Sequence, residues 1–362
     1  MSNITEPLIE QALRKFTDPY LDCDLVQAKA VKKLELKGGK CVLEIELGFP
    51  ARDYCHELKQ DLTELLLEMP GLEEVDCRVS VQIAAHAVQQ GTRTLPHVKN
   101  TIAVASGKGG VGKSTTSVNL ALALAAEGAT VGILDADIYG PSQPRMLGCT
   151  GKPDMQDKRI IPKVNHGIQS MSIGYMIEED TPMIWRGPMA TSALEQLIND
   201  TAWQDLDYLI IDLPPGTGDI QLTLSQKIPL SGAVIVTTPQ DIALLDAKKA
   251  LKMFEKVNVP VLGVIENMSV HVCSNCGHAE HIFGEGGGEA MAEQYDIDLL
   301  GSLPLDLRIR EGVDSGNPTV AQNPDSETSQ IYREVARIMA AELSLQTKDY
   351  ASKFPNIVVE NR

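Results

Sequence analysis

The run Gly107-Lys108-Gly109-Gly110-Val111-Gly112-Lys113-Ser114 decides how this chain is read. It fits G-x-x-x-x-G-K-[ST], the phosphate-binding P-loop. The short apolar run Thr101–Ser106 precedes it and reads as a buried strand. Ser117–Ala126 follows, a strong helix former with apolar positions all round. Strand, glycine turn and helix form the setting the motif needs. The glycines let backbone N–H groups wrap a phosphate at close range. The helix N-terminus adds the positive end of its dipole. Lys113 supplies a point charge for the outer phosphates. The Ser114 hydroxyl suits Mg²⁺, and Thr115 continues the phosphate-facing turn.

Strand–helix alternation continues from residue 101, the mark of a mostly parallel α/β sheet with helices on both faces. Strands are expected at Ile102–Ser106, Thr130–Leu134, Tyr208–Leu213, Ala233–Thr237, Val261–Ile265 and Leu299–Leu303. All are short, apolar and β-branched, as strands covered on both faces should be. Ligands of such sheets bind at the carboxyl ends of the strands. The chemistry-bearing residues should therefore follow each strand. Asp135 and Asp137 follow the second and suit Mg²⁺ and water positioning. Asp212 ends the third as a Walker B aspartate near the metal. Pro214-Pro215-Gly216-Thr217-Gly218-Asp219 is a stiff, then flexible loop, suited to sense a γ-phosphate. Asp241 opens a helix, where a carboxylate is ordinary.

Cys273-Ser274-Asn275-Cys276 is a second chemical site. Such a pair brings two thiolates within reach of one metal or cluster. Three readings stay open on the residues alone. One is zinc held by Cys273, Cys276, His278 and His281, a spacing more compressed than the usual zinc module. Another is half of a four-thiolate cluster site completed by a second chain. The third is a redox pair, which would sit better at a helix N-terminus.

Ahead of the P-loop, residues 1–90 read as a separate small α+β module. It has a helix over Glu6–Phe16, a hairpin of Ala30–Leu36 and Cys41–Leu47, a helix over Tyr54–Met69 and a strand over Val75–Ile83. Residues 84–100 lack periodicity; with Gly91 and Pro96 they mark a linker, centred on 91–100. The ATPase-like part is expected over 101–343. Its last helix is Gln330–Leu343, with a loose tail over 344–362.

The chain has 362 residues and a net charge of −17 without a long basic run, which argues against nucleic acid as a partner. No secretory leader or membrane-length apolar run is visible, so a cytoplasmic protein is expected. Its seven cysteines are then thiols or metal ligands rather than disulfides.

The second lysine of the loop, Lys108, makes it resemble the deviant P-loop of the MinD/ParA ATPases. Asp135-Ala-Asp-Ile-Tyr-Gly-Pro-Ser142 and Asp212-Leu-Pro-Pro-Gly-Thr-Gly-Asp219 resemble the Mrp/ApbC subgroup of that branch. The module with Asp18-Pro19 and Pro70-Gly71 resembles the small iron–sulfur assembly domain often fused ahead of it, although Cys55 lies later than that family's usual cysteine.

The resemblance implies a slow ATPase that works as a homodimer, with ATP and Mg²⁺ as cofactors. Lys108 would reach the partner's nucleotide, and Lys113 and Asp137 would complete the catalytic set, Asp137 orienting the attacking water. Ser114, Asp135 and Asp212 would serve Mg²⁺. Asn267 would recognise adenine, and the loop with Pro304 and Asp306 would border it. Cys273 and Cys276 of two chains would bridge a labile [4Fe–4S] cluster, received from cluster donors and passed to apo iron–sulfur acceptor proteins. The rival expectations are a MinD/ParA-like positioning ATPase, which the missing basic membrane tail disfavours, and a P-loop module with structural zinc.

Overall fold

The computed structural model describes residues 4–89, 91–177 and 187–349. The first unit comprises helix α1 (Glu6–Leu13), strands β1 (Val31–Lys37) and β2 (Lys40–Leu47), helix α2 (Tyr54–Leu67) and strand β3 (Glu74–Val81). β1 and β2 form the hairpin, and β3 adds parallel to β2. Leu43, Ile45 and Leu47 of β2 share one buried cluster with Leu58, Leu62 and Leu66 of α2, all essentially inaccessible. Their spacings of two and four are the strand and helix periods.

The larger unit begins at β4 (Val98–Ala105) and continues through α3 (Lys113–Ala126), β5 (Val131–Asp135) and α4 (Gln143–Met146). Then come β6 (Lys163–Asn165), β7 (Ile168–Ser172), α5 (Gly187–Asp200), β8 (Leu206–Asp212), α6 (Asp219–Lys227) and β9 (Gly232–Thr237). The chain closes with α7 (Asp241–Lys256), β10 (Val261–Glu266), β11 (His271–Val272), β12 (Ala279–Glu280), α8 (Gly287–Tyr295), β13 (Leu299–Ser302), α9 (Leu307–Asp314), α10 (Thr319–Gln322) and α11 (Glu327–Leu345). Eight strands form one sheet in the order β6-β7-β5-β8-β4-β9-β10-β13. All pairs are parallel except the edge pair β6–β7. The six expected strands are present; β7 and its edge partner β6 are additions. β4 lies between β8 and β9, so the P-loop leaves the middle of the sheet.

Three boundaries differ from the sequence reading. The expected 91–100 linker is partly strand, since β4 already starts at Val98. The stretch before it is also anchored: Asn100 is buried and accepts from the His86 backbone N–H at 3.1 Å, and Gln89 bonds Ser225, Ile228 and Leu230 across the larger unit. The supposed tail begins as helix to Leu345 and continues as a bridge between Lys348 and His86. Its residues 350–362 lie outside the described residues.

The two units share one apolar core. Leu43, Leu58 and Leu62 belong to the same cluster as Val118 and Leu122 of α3 and Val335, Met339 and Leu343 of α11. Polar contacts reinforce the junction. The Arg333 guanidinium meets Asp53 at 2.5 Å and Glu127 at 2.7 Å, and Arg337 lies 4.9 Å over the Tyr20 ring. Glu127 ends α3, whose first residue is Lys113. One helix thus spans from the phosphate loop to the small unit.

Candidate functional site

The phosphate loop is built by close approach. Gly110 and Gly112 sit at φ +83° and +81°, a region that suits glycine. A Cβ on Gly112 would meet Asn267 Nδ2 at 2.2 Å, and one on Gly107 would meet the Asp246 backbone at 2.1 Å. Neither position has room for a side chain.

Lys113 is buried, and its Nζ lies 2.5 Å from Asp212 Oδ1. Asp212 also accepts from Ser117 Oγ and Gln143 Nε2, each at 2.9 Å. Ser114 Oγ is 3.1 Å from Lys113 Nζ, and its carbonyl takes Gln143 Nε2 at 3.1 Å. Thr115 beside it is half-buried. Asp135 is fully buried and accepts from the backbone N–H groups of Asp137, Ser142 and Gln143 and from Ser172 Oγ. Burial first, and then the charge of Asp212, push its carboxyl up to about 7. Burial also raises Asp137, despite the opposing Lys113 charge, and Asp137 Oδ1 accepts from Gly140 N–H at 3.2 Å. Lys113, Ser114, Asp135, Asp137 and Asp212 thus converge. The oxygen donors Ser114, Asp135 and Asp212 suit a hard divalent cation such as Mg²⁺.

Ser117, Gln143 and Ser172 join this site without having been singled out in the sequence. Ser117 had a signal, since it lies one helical turn past Lys113. Gln143 and Ser172 are brought in by the fold. The Pro214–Gly218 loop touches the P-loop through Gly216 N–H on the Ser106 carbonyl at 3.0 Å. Lys108 is half-buried, and its ammonium has no partner among the described residues.

On the other side of the loop, Asn267 Nδ2 donates to the Val111 carbonyl at 2.8 Å. It buttresses the P-loop from the end of β10. Pro304 is half-buried. Asp306 caps α9 and pairs with Arg308, whose hydrogen bonds hold its carboxyl below the usual range. Its side chain is therefore engaged locally. The backbone of the same loop carries Ser269 N–H on the Leu303 carbonyl at 3.0 Å and Leu305 N–H on the Val270 carbonyl at 2.8 Å.

Those bonds anchor the root of the β11–β12 hairpin, whose turn is the cysteine pair. Cys273 N–H donates to the His278 carbonyl and Gly277 N–H to the Cys273 carbonyl. Cys273 is half-buried and Cys276 exposed. Hydrogen bonds from the backbone of Asn275 and Cys276 lower the Cys273 thiol below its usual range. Among the described residues, no group of three or more His, Cys, Asp or Glu side chains could hold a metal ion. His281 Nδ1 instead lies 2.8 Å from the Ser269 carbonyl. The four-ligand zinc set is not assembled within one chain.

The arrangement matches known proteins. A family model described as "NUBPL iron-transfer P-loop NTPase" matches residues 97–340, and one described as "Iron-sulfur cluster assembly protein" matches residues 8–81. The "Iron-sulfur cluster carrier protein" of Haemophilus influenzae is 53% identical over 340 residues, covering 93% of this chain and 92% of that protein. The mouse "Iron-sulfur cluster transfer protein NUBPL" is 54% identical over 242 residues, 66% of this chain and 76% of that protein. A solved Archaeoglobus fulgidus nucleotide-binding protein in complex with ADP is 37% identical with a TM-score of 0.56, covering 64% of this chain and 90% of that one. The Pyrococcus furiosus cell division ATPase MinD, 23% identical with a TM-score of 0.52, covers 66% of this chain and 97% of that one and shares the fold. With its phosphate loop, its paired strand-end aspartates and a family match over residues 97–340, the chain belongs to the NUBPL-type iron-transfer P-loop NTPases.

Proposed function

We propose that this chain is an ATP-dependent carrier that binds a [4Fe–4S] cluster between two copies of itself and delivers it to apo iron–sulfur proteins. The observation that carries the reading is the exposed hairpin turn with Cys273 and Cys276. It presents two thiols, one already biased toward thiolate, with no third ligand beside them among the described residues. A four-thiolate shell then needs a second chain. The cluster is cargo here, so an exposed turn suits its loading and release.

The nucleotide half follows from the same residues. Lys113 exchanges Asp212 for the outer phosphates, and the P-loop N–H groups cradle them. Ser114, Asp135 and Asp212 would hold Mg²⁺, which would neutralise phosphate charge when bound. Asp137 orients the attacking water, and Lys108, without a side-chain partner among the described residues, reaches the partner's nucleotide. Asn267 and the 303–306 loop connect this site to the root of the cysteine hairpin. Nucleotide state thereby biases the geometry of the two turns and the affinity for acceptors. No helix among the described residues is long and apolar enough to cross a membrane.

The test is anaerobic iron–sulfide reconstitution with iron, acid-labile sulfide and molecular mass measured together. The expected result is about four iron and four sulfide per dimer, lost in Cys276→Ala. Full loading of a monomer, or tight zinc without sulfide-dependent absorbance, would overturn the reading.

A further inference from the structure

Asp135 and Asp212 end the neighbouring parallel strands β5 and β8 and lie directly opposite one another in the register. Both are fully buried. Like charges set side by side repel, and buried carboxylate oxygens need donors. Gln143 supplies donors to both. Its backbone N–H donates to Asp135 Oδ2 at 3.1 Å, and its Nε2 donates to Asp212 Oδ2 at 2.9 Å. The same Nε2 donates to the Ser114 carbonyl at 3.1 Å. One residue therefore touches all three residues assigned above to Mg²⁺.

The surroundings leave Gln143 little freedom. It is inaccessible, and its backbone is fastened on both sides, the N–H by Asp135 and the carbonyl by the Leu147 N–H at 2.9 Å. Its Nε2 serves two acceptors, which fixes the orientation of the amide and leaves Oε1 buried without a partner. Proteins seldom bury an amide oxygen unpaired, and an aliphatic side chain of similar length would avoid that cost. What the amide gains in return is its pair of donated bonds. Lys113 and Ser117 hold the other oxygen of Asp212, Oδ1, so the carboxylate is gripped on both edges.

We propose that Gln143 is a positioning residue for the divalent cation: by tying Asp135, Asp212 and the Ser114 backbone together, it sets the spacing of the oxygen donors and with it the preference of the site for Mg²⁺ over the larger Ca²⁺. The two ions differ in what they tolerate. Mg²⁺ demands short bonds in near-ideal octahedral geometry, whereas Ca²⁺ accepts longer and less regular ones. Loosening the donors therefore penalises Mg²⁺ more. Groups that orient metal ligands in this way are typically worth about tenfold to hundredfold in affinity. The proposal rests on the nucleotide half of the reading above and is independent of the cluster.

The test titrates ADP into the full chain by calorimetry in Mg²⁺, in Ca²⁺ and in EDTA, for the wild type, Gln143→Met and Gln143→Asn. Methionine fills similar space without an N–H, and asparagine keeps the amide but withdraws it by one methylene. Both variants should lose about tenfold or more of the ADP affinity in Mg²⁺, clearly less in Ca²⁺, and almost none in EDTA. A merely structural role would lower all three affinities together. Equal losses in the three conditions, or an unchanged ratio of Mg²⁺ to Ca²⁺ affinities, would overturn the proposal. Denaturant unfolding on the same samples checks the fold, and loss of the fold in both variants would make Gln143 a structural residue and overturn it as well. Wild-type ADP binding that ignores Mg²⁺ would overturn the nucleotide reading together with this one, whereas intact Mg²⁺ dependence in both variants would overturn the role of Gln143 alone.

Discussion

Lys113 and Asp212 form a buried ion pair, with Nζ 2.5 Å from Oδ1 and both side chains almost inaccessible. The carboxylate is further satisfied by Ser117 and Gln143. The lysine proposed to bind phosphate is thus held by the aspartate proposed to serve Mg²⁺, and its positive charge has a partner in the chain itself. Such a pair contributes little net stability compared with apolar replacements, but removing one partner strands the other.

Stability and binding should therefore separate. Lys113→Met is expected to lose nucleotide binding by more than tenfold and, by stranding Asp212, about 3 kcal/mol of stability. The double variant Lys113→Met, Asp212→Asn should recover much of that stability and none of the binding. Denaturant unfolding and nucleotide titration on the same samples check both. A double variant as unstable as the single one would show that the pair is not what holds the loop.

The junction between the units gives a second contrast. Glu127 is inaccessible and one of its oxygens is already unpartnered, while Asp53 is largely exposed. Arg333→Ala leaves Glu127 with only the longer contact to Arg337 at 3.7 Å. The expected cost is about 3 kcal/mol. Asp53→Asn removes the solvent-facing partner of the same arginine and should cost less than about 1 kcal/mol. Equal losses in thermal or chemical unfolding would contradict a buried anchor at Glu127.

What the sequence revealed follows the range of each interaction. The P-loop was legible because its requirement is local: Gly110 and Gly112 need their positive φ whatever surrounds them. Five of the six strands were legible because both faces are buried, which demands unbroken apolar runs; the edge strand β13, with Leu300 buried and Ser302 exposed, is the exception. β7 was not, since Ile168-Gln-Ser-Met-Ser172 alternates with serines. Its hydroxyls are satisfied only in the fold, Ser170 by Tyr175 at 2.7 Å and Ser172 by Asp135 at 3.1 Å. Gln143 was hidden for the same reason. The stretch before Val98 read as a linker because the bonds that order it, from Gln89 to Ser225, Ile228 and Leu230, join residues far apart in the chain. The cysteine pair was visible at once, but one chain carries only half of the shell proposed for it.

Glu342 of α11 sets a pH dependence away from the nucleotide site. Burial first, and then the carboxylates of Asp298 and Asp22, push it from an ordinary value of 4.5 up to about 7. A raised acid binds its proton more tightly in the folded state than in the unfolded one. Its contribution is therefore fully present below pH 4.5 and lost as pH rises through 7. Glu342→Gln should flatten the fall in unfolding free energy across that window and leave nucleotide affinity unchanged. Denaturant midpoints at a series of pH values measure it, and an unchanged slope would remove Glu342 as the source.

Cys273 supplies the last contrast. Hydrogen bonds from the backbone of Asn275 and Cys276 lower its thiol below the ordinary value of 9.0, while burial raises Cys41, Cys55 and Cys77 above it. The thiolate is the nucleophile and the iron ligand, so the order of alkylation reports which sulfur is ready to bind. Limiting iodoacetamide near neutral pH, followed by peptide mass mapping, should label Cys273 well before Cys41, Cys55 and Cys77. Gly277→Val replaces a turn residue at φ +73° with a β-branched one, so it should disturb the turn that carries those N–H groups and slow Cys273 labelling. Slow labelling of Cys273 in the unmodified chain would mean that the hairpin does not stabilise the thiolate. Cluster capture would then depend on the iron to remove the proton.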